Sequence, residues 1–177
     1  MCLFGGVRMA EKIKLPNLIL LETFKGIFQD FFEAVYKIFK RDFVDTKPVF
    51  NKKPLRLKSH PFIDGKEYTF YHFTHSGDIE NERLPDIRRM ERISWAKPVI
   101  EECNNWGLKI WPQIRNGKDR LCIWLQLEND LDYIVILDVR TNYILPWTAF
   151  VLEYEHEKRK KQKEYEAYLK NKNRLNN

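Results

Sequence analysis

The sequence has little of what most metal, redox and cofactor chemistry requires. Of 177 residues only three are cysteine, four histidine and seven glycine. Cys2, Cys103 and Cys122 show neither metal-ligand spacing nor an even-numbered disulfide framework, which points to a reduced, cytoplasmic setting. The glycines form no P-loop, no G-x-G-x-x-G turn and no G-x-S-x-G elbow, so no nucleotide cofactor is expected. Long apolar runs are missing too. "LILL" at 18–21 falls far short of the roughly 20 residues a spanning helix needs, and no membrane partner is expected. The start, "MCLFGGVRMAEK", lacks the apolar stretch of an export signal. Residues 1–15 read as a flexible leader, with Met1 and Met9 both open as the starting methionine.

What is present is aromatic and basic. Hydrophobic residues make up 44% of the chain and aromatics 14%, enough to build a core and to exclude global disorder. The net charge is +6, but residues 155–177 hold eight Lys/Arg against four Glu and carry most of it. The balance of the chain permits an anionic partner without demanding one.

Periodicity divides the rest. Residues 16–43 read as a helix opened by Pro16-Asn17, with Phe24, Phe28, Phe31, Val35 and Ile38 on one face. Residues 45–65 hold three prolines and several lysines and read as an extended connector in which His60 is exposed. Residues 66–73 alternate as a strand, with Tyr68, Phe70 and His72 on one side. Pro85 and Asp86 open a helix that carries Arg88, Arg89 and Arg92 and is kinked at Pro98. After Gly107 the period becomes two. Four strands are expected near 108–115, 119–128, 132–139 and 142–150, with turns at Asn116-Gly117, Asn129-Asp130 and Thr141-Asn142. Leu121, Ile123, Leu125 and Leu127 oppose Arg120, Cys122, Trp124 and Gln126, the alternation of a half-buried antiparallel sheet. A charged helix follows from about 151. The expected fold is α+β: N-terminal helices on an antiparallel sheet of four to five strands, a single domain over 16–150, then a charged C-terminal helix and tail over 151–177.

A strand, then helices, then an antiparallel meander resembles the layout of the barnase/EndoU/RelE-like ribonuclease superfamily. The stretches "FYHFTHSG", "LPDIRRMERISWAKPVIEEC" and "YILPWTAFVLEYEHEKRKKQKEYEAYL" resemble small phage- and mobile-element-associated proteins near that superfamily, over about residues 30–170. Thr148-Ala149-Phe150 is similar to the closing strand of such nucleases. The resemblance implies a metal-independent endoribonuclease acting on RNA, as a toxin or phage-related factor.

That chemistry activates a 2′-hydroxyl against the adjacent phosphodiester. It needs a base near neutral pKa, a proton donor and cations on the developing charge. His72 is the natural acid/base candidate, with a core histidine beside Tyr68 and Phe70 as the alternative. Thr74 would border it or cap the following turn. Thr148 would bring a hydroxyl if its strand end neighbours His72. Arg88, Arg89, Arg92 and Arg120 are the phosphate-binding candidates, or else charges on a solvated face. No metal site is expected, because His72 and His75 fall on opposite sides of a strand and no ligand set completes them. The other class is a non-catalytic module that binds nucleic acid or protein, and the charged C-terminal helix suits a protein partner or inhibitor.

Overall fold

The computed structural model describes residues 13–128 and 131–175. Most of the leader, with Cys2 and Met9, and the Asn129-Asp130 turn lie outside those residues. The chain is α+β, built around one four-stranded antiparallel sheet with helices on both faces.

Residues 13–20 form no helix. The Ile19 amide donates to Glu91 O, and the Trp95 indole donates to Pro16 O at 2.9 Å, so tertiary partners take the bonds a helix would have used. A 3-10 turn at Leu21–Phe24 leads into α1 (Phe28–Phe39), which ends in a π-helical turn at Lys40–Asp45. The buried row is Phe31, Val35, Phe39 and Phe43, while Phe28 stays partly exposed. This row runs at steps of four, and Phe39 stacks on Phe43 with centroids 5.1 Å apart.

The connector folds into a small hairpin of β1 (Val49–Phe50) and β2 (Lys53–Pro54) and leaves His60 exposed. The next segment overturns a sequence expectation. Residues 68–74 form α2 (Tyr68–Thr74), a two-turn helix outside the sheet. Six of its seven residues are buried, with Phe70 against Phe32, Tyr36 and Phe39. Then β3 (His75–Ser76) pairs with β4 (Leu84–Pro85), closing a loop over residues 77–83. Pro85 therefore lies in a strand pair, and Asp86 is the cap of α3 (Ile87–Glu91), accepting from the Arg89 amide. The break between α3 and α4 (Ala96–Glu102) falls at Arg92–Trp95. Pro98 sits in the first turn of α4, where its missing N–H costs nothing.

The meander matches the expected pattern: β5 (Lys109–Arg115), β6 (Lys118–Gln126), β7 (Asp132–Val139) and β8 (Ile144–Leu152) pair in chain order. Asn116 and Gly117 both have positive φ, 52° and 68°, as a primed two-residue hairpin requires. One face of the sheet, with Ile123, Leu125, Val135 and Leu137, packs on the N-terminal helices. The other face is not solvated as expected. Trp111, Cys122, Trp124, Ile134 and Ile136 are buried there beneath α5 (Glu155–Leu175). The charged helix manages this with Lys158, Lys161, Gln162, Tyr165 and Tyr168 on one face. Tyr165 packs on Trp111, and Gln162 accepts from Lys109 Nζ at 2.8 Å.

Candidate nucleic-acid cleft

The site grows out of a β-bulge. Pro146 pairs with Leu137 and Thr148 pairs with Ile136, which leaves Trp147 as the extra residue of β8. A proline cannot donate to the ladder, and a bulge is where a strand accommodates it. The bulge presents Trp147 and Thr148 at the strand's outer edge, beside the C-terminal end of α2.

Thr148 does neighbour His72, but through its backbone. The Thr148 hydroxyl donates to His72 O at 2.7 Å and accepts from Arg89 Nη1 at 3.1 Å. The same Arg89 Nη1 donates to His75 O at 3.1 Å, and its Nε lies 3.3 Å from Asp86 Oδ2. Arg89 thus ties the last carbonyls of α2 to β8 and α3, which is favourable at a helix C-terminus. Burial is the main cause lowering its pKa, opposed by Asp86.

His72 itself is 3% exposed. Its ring lies between Tyr68, 4.6 Å away, and Trp147, 4.4 Å away by centroids. Arg83 Nη1 donates to Nδ1 at 3.1 Å, so the neutral ring carries its proton on Nε2, which faces Glu80 Oε1 at 3.4 Å. Burial first, then the charges of Arg83, Lys58, Arg120 and Arg89, push its pKa down to about 3. This imidazole is neutral across the physiological range.

Around it opens a cleft of about 870 Å³. Its walls come from the 76–83 loop, α3, the β5–β6 hairpin, β8 and the start of α5. Six cations line it, Arg83, Arg88, Arg89, Arg115, Lys118 and Arg120, beside five carboxylates, Asp78, Glu80, Asp86, Glu153 and Glu157; of the cations, Arg83, Arg120 and Arg89 act on His72. Arg120 sits over the Trp147 ring at 4.1 Å and pairs with the fully buried Asp138, which also takes Arg140 Nη2 at 2.6 Å. Arg88 is bridged to Glu153 at 2.7 Å.

Four expected site residues therefore converge with His72: Thr148, Arg88, Arg89 and Arg120. Two do not. Thr74 is fully buried, its hydroxyl donating to Phe70 O at 2.8 Å and accepting from His75 Nδ1 at 2.9 Å. Arg92 packs over Trp95 and donates to Arg88 O, away from the cleft. Both corrections follow from helix in place of strand in α2 and from the early end of α3. His75 sits against Tyr71 and Phe32, and burial, Arg83 and Arg89 lower its pKa. Arg83 and Lys118 were not singled out in the sequence; Arg83 stands in a stretch that reads only as polar loop. Among the described residues, no three His, Cys, Asp or Glu are grouped to hold a metal ion. No helix among them is long and apolar enough to cross a membrane.

No protein-family model matches the chain, and no curated protein and no solved structure matches it.

Proposed function

We propose that the cleft binds RNA and cleaves it without a metal ion, by attack of a 2′-hydroxyl on the adjacent phosphodiester. The observation that carries this reading is the convergence of His72, Arg83, Arg120 and Trp147 in one cleft. Guanidinium groups suit a phosphate, and an indole suits a base. At rest Arg83 covers the Nδ1 lone pair. A phosphate that draws the Arg83 guanidinium to itself uncovers Nδ1. It also offsets the cationic charges that, after burial, depress the imidazole. His72 then takes the 2′-hydroxyl proton, the new P–O2′ bond forms, and the P–O5′ bond breaks. The leaving 5′ oxygen takes its proton from another cleft group; Lys118 and Tyr154 offer an N–H and an O–H there. The products are a 2′,3′-cyclic phosphate and a 5′-hydroxyl. A cytoplasmic toxin or phage-related role goes with this chemistry, and growth arrest on overexpression is its cellular signature.

A second reading, binding without cleavage, is favoured by the engagement of both His72 nitrogens in a nearly closed site. In that case the exposed end of α5 offers a further surface for a protein partner. Purified wild type and His72→Gln incubated with RNA in chelator separate the two. Cleavage to cyclic-phosphate ends, lost about 100- to 10,000-fold in the folded variant, supports the enzyme. Binding by both proteins with cleavage by neither establishes the second reading. Neither binding nor cleavage removes both.

A further inference from the structure

The positive surface does not stop at the cleft. Residues 55–59 run beside the start of β8 and the start of α2: the Arg56 amide donates to Ile144 O at 2.9 Å, and the Thr69 amide donates to Lys58 O at 3.1 Å. Leu55 is buried and Leu57 packs against the core, so the intervening Arg56 and Lys58 lie on the other side. Each is laid on an aromatic ring. The Lys58 ammonium is 3.7 Å from the Tyr68 centroid and 5.8 Å from that of Trp147, the ring that also supports Arg120. The Arg56 guanidinium is 4.8 Å from the Tyr143 centroid. Tyr143 belongs to the β7–β8 turn, whose other end is Arg140, with the Arg140 amide bonded to Tyr143 O at 2.8 Å.

The charges along this line are not balanced locally. Asp138, fully buried between Arg120 and Arg140, offsets one of their two charges and leaves the other to the surface. Glu80 is the other carboxylate acting on Lys58. Burial is the main cause lowering the Lys58 pKa; Lys118 and Arg140 add to it, while Glu80 and Asp138 oppose it. Cations alternating with aromatic rings are what a single strand recognises, through phosphates and base faces.

We infer that a single-stranded nucleic acid seated in the cleft continues along Lys58 and Arg140 to Arg56 and Tyr143, with a base outside the cleft stacked on Tyr143. The inference rests on the proposed reading of the cleft, and it adds a second, separable binding segment. Tyr143 is 37% exposed, enough to offer an edge or face, whereas Trp147 is shared with His72 and Arg120.

The test uses the full chain and 2′-O-methyl oligoribonucleotides, which cannot be cleaved, at lengths of about three and about nine nucleotides, with fluorescence anisotropy over a salt series. The double variant Arg56→Gln/Tyr143→Ala changes two surface positions. It is expected to bind the longer strand about tenfold more weakly and the shorter one unchanged. Its salt dependence should flatten by about 0.7 in log–log slope for the one charge removed. Lys58→Gln should weaken the longer strand as well. If both lengths bind and the double variant binds the long strand like wild type, the track is overturned while the cleft stands. If the long strand binds, the double variant weakens it and the short strand is not held, the track stands and the cleft reading falls. If neither length binds, both fall. Equal affinity for a blunt duplex, or equal competition by polyglutamate, overturns the single-strand assignment in favour of a general polyanion surface.

Discussion

Arg83 donates from Nη1 to Nδ1 of His72 at 3.1 Å, and this contact fixes the histidine as a neutral ring with its proton on Nε2. The imidazole also lies between two aromatic rings at 3% exposure. Charge on it is opposed by burial and by every guanidinium nearby.

The pH dependence of stability follows from that neutrality. In the unfolded chain His72 titrates near 6.5; in the fold it does so at about 3. Above pH 6.5 both states are neutral and the fold is fully favoured. As pH falls from 6.5 toward 3, the unfolded chain takes up a proton that the fold refuses. Stability then drops by up to ~1.4 kcal/mol per pH unit. His75, also lowered, adds to the same trend. Urea midpoints at pH 7.5, 5.5 and 4.5 should fall more steeply in wild type than in His72→Gln. Parallel pH dependences in the two proteins would mean that His72 is charged in the fold.

Thr148 is expected to matter for stability before chemistry. Its hydroxyl donates to His72 O and accepts from Arg89. Thr148→Val leaves a helix-terminal carbonyl and an arginine N–H without that partner, at about 1–3 kcal/mol. Thr148→Ser keeps both bonds and should melt close to wild type. For a chain this size, each kcal/mol moves Tm by roughly 2–4 °C. A valine variant that melts with wild type would show that the bridge holds nothing.

The strands and the loop chemistry were legible for a reason. In β6 aliphatic Leu121, Ile123 and Leu125 recur at every second position, and Asn116-Gly117 supplies the two positive φ values its hairpin demands. The segment 66–73 was not legible, because "EYTFYHFT" satisfies two periods at once. Tyr68 and His72 alternate with Tyr71 and Phe73 in a strand, yet they also stand four apart on a helix. With six of seven residues buried, no polar face is left to decide. Tertiary packing of Phe70 into α1 then overrides the β preference of the aromatics. The burial of the sheet's second face is not legible in the sequence, because α5 covers it with Lys and Gln stems and two tyrosines rather than an aliphatic stripe. In the site, Arg89 and Thr148 lay within reach of sequence reasoning. Arg83 did not, since its role depends on a loop folding back over α2.

Two cysteines should prove inert. Burial pushes the Cys103 thiol up to about 11 and the Cys122 thiol up to about 12, so almost no thiolate exists near neutral pH. Iodoacetamide at pH 8 should leave both unmodified in the native protein by peptide mass spectrometry, and modify both in urea. Rapid native labelling of Cys122 would mean that α5 lifts from the sheet, since that residue lies under the helix.

The last expectation concerns Arg83, whose charge is the largest cause after burial of the low His72 pKa. Arg83→Gln removes that charge and replaces the strongest donor at Nδ1. The His72 pKa should therefore rise, though not to 6.5, because burial and the charges of Lys58, Arg120 and Arg89 persist. Nitrogen NMR of the imidazole gives the tautomer and titration directly, independent of any activity. In wild type, Nδ1 should show the signature of a hydrogen-bonded acceptor and stay unprotonated at pH 5; in Arg83→Gln it should begin to protonate at a higher pH. If RNA is cleaved, the acid limb of the kcat/KM profile should move to higher pH in the same variant, since His72 must be neutral to act as base. A variant whose kcat/KM falls equally at every pH, with the imidazole titration unmoved, would make Arg83 a phosphate contact alone. An Nδ1–H tautomer in the wild-type protein would remove the Arg83–His72 bond, and with it the account of how the cleft keeps its histidine neutral.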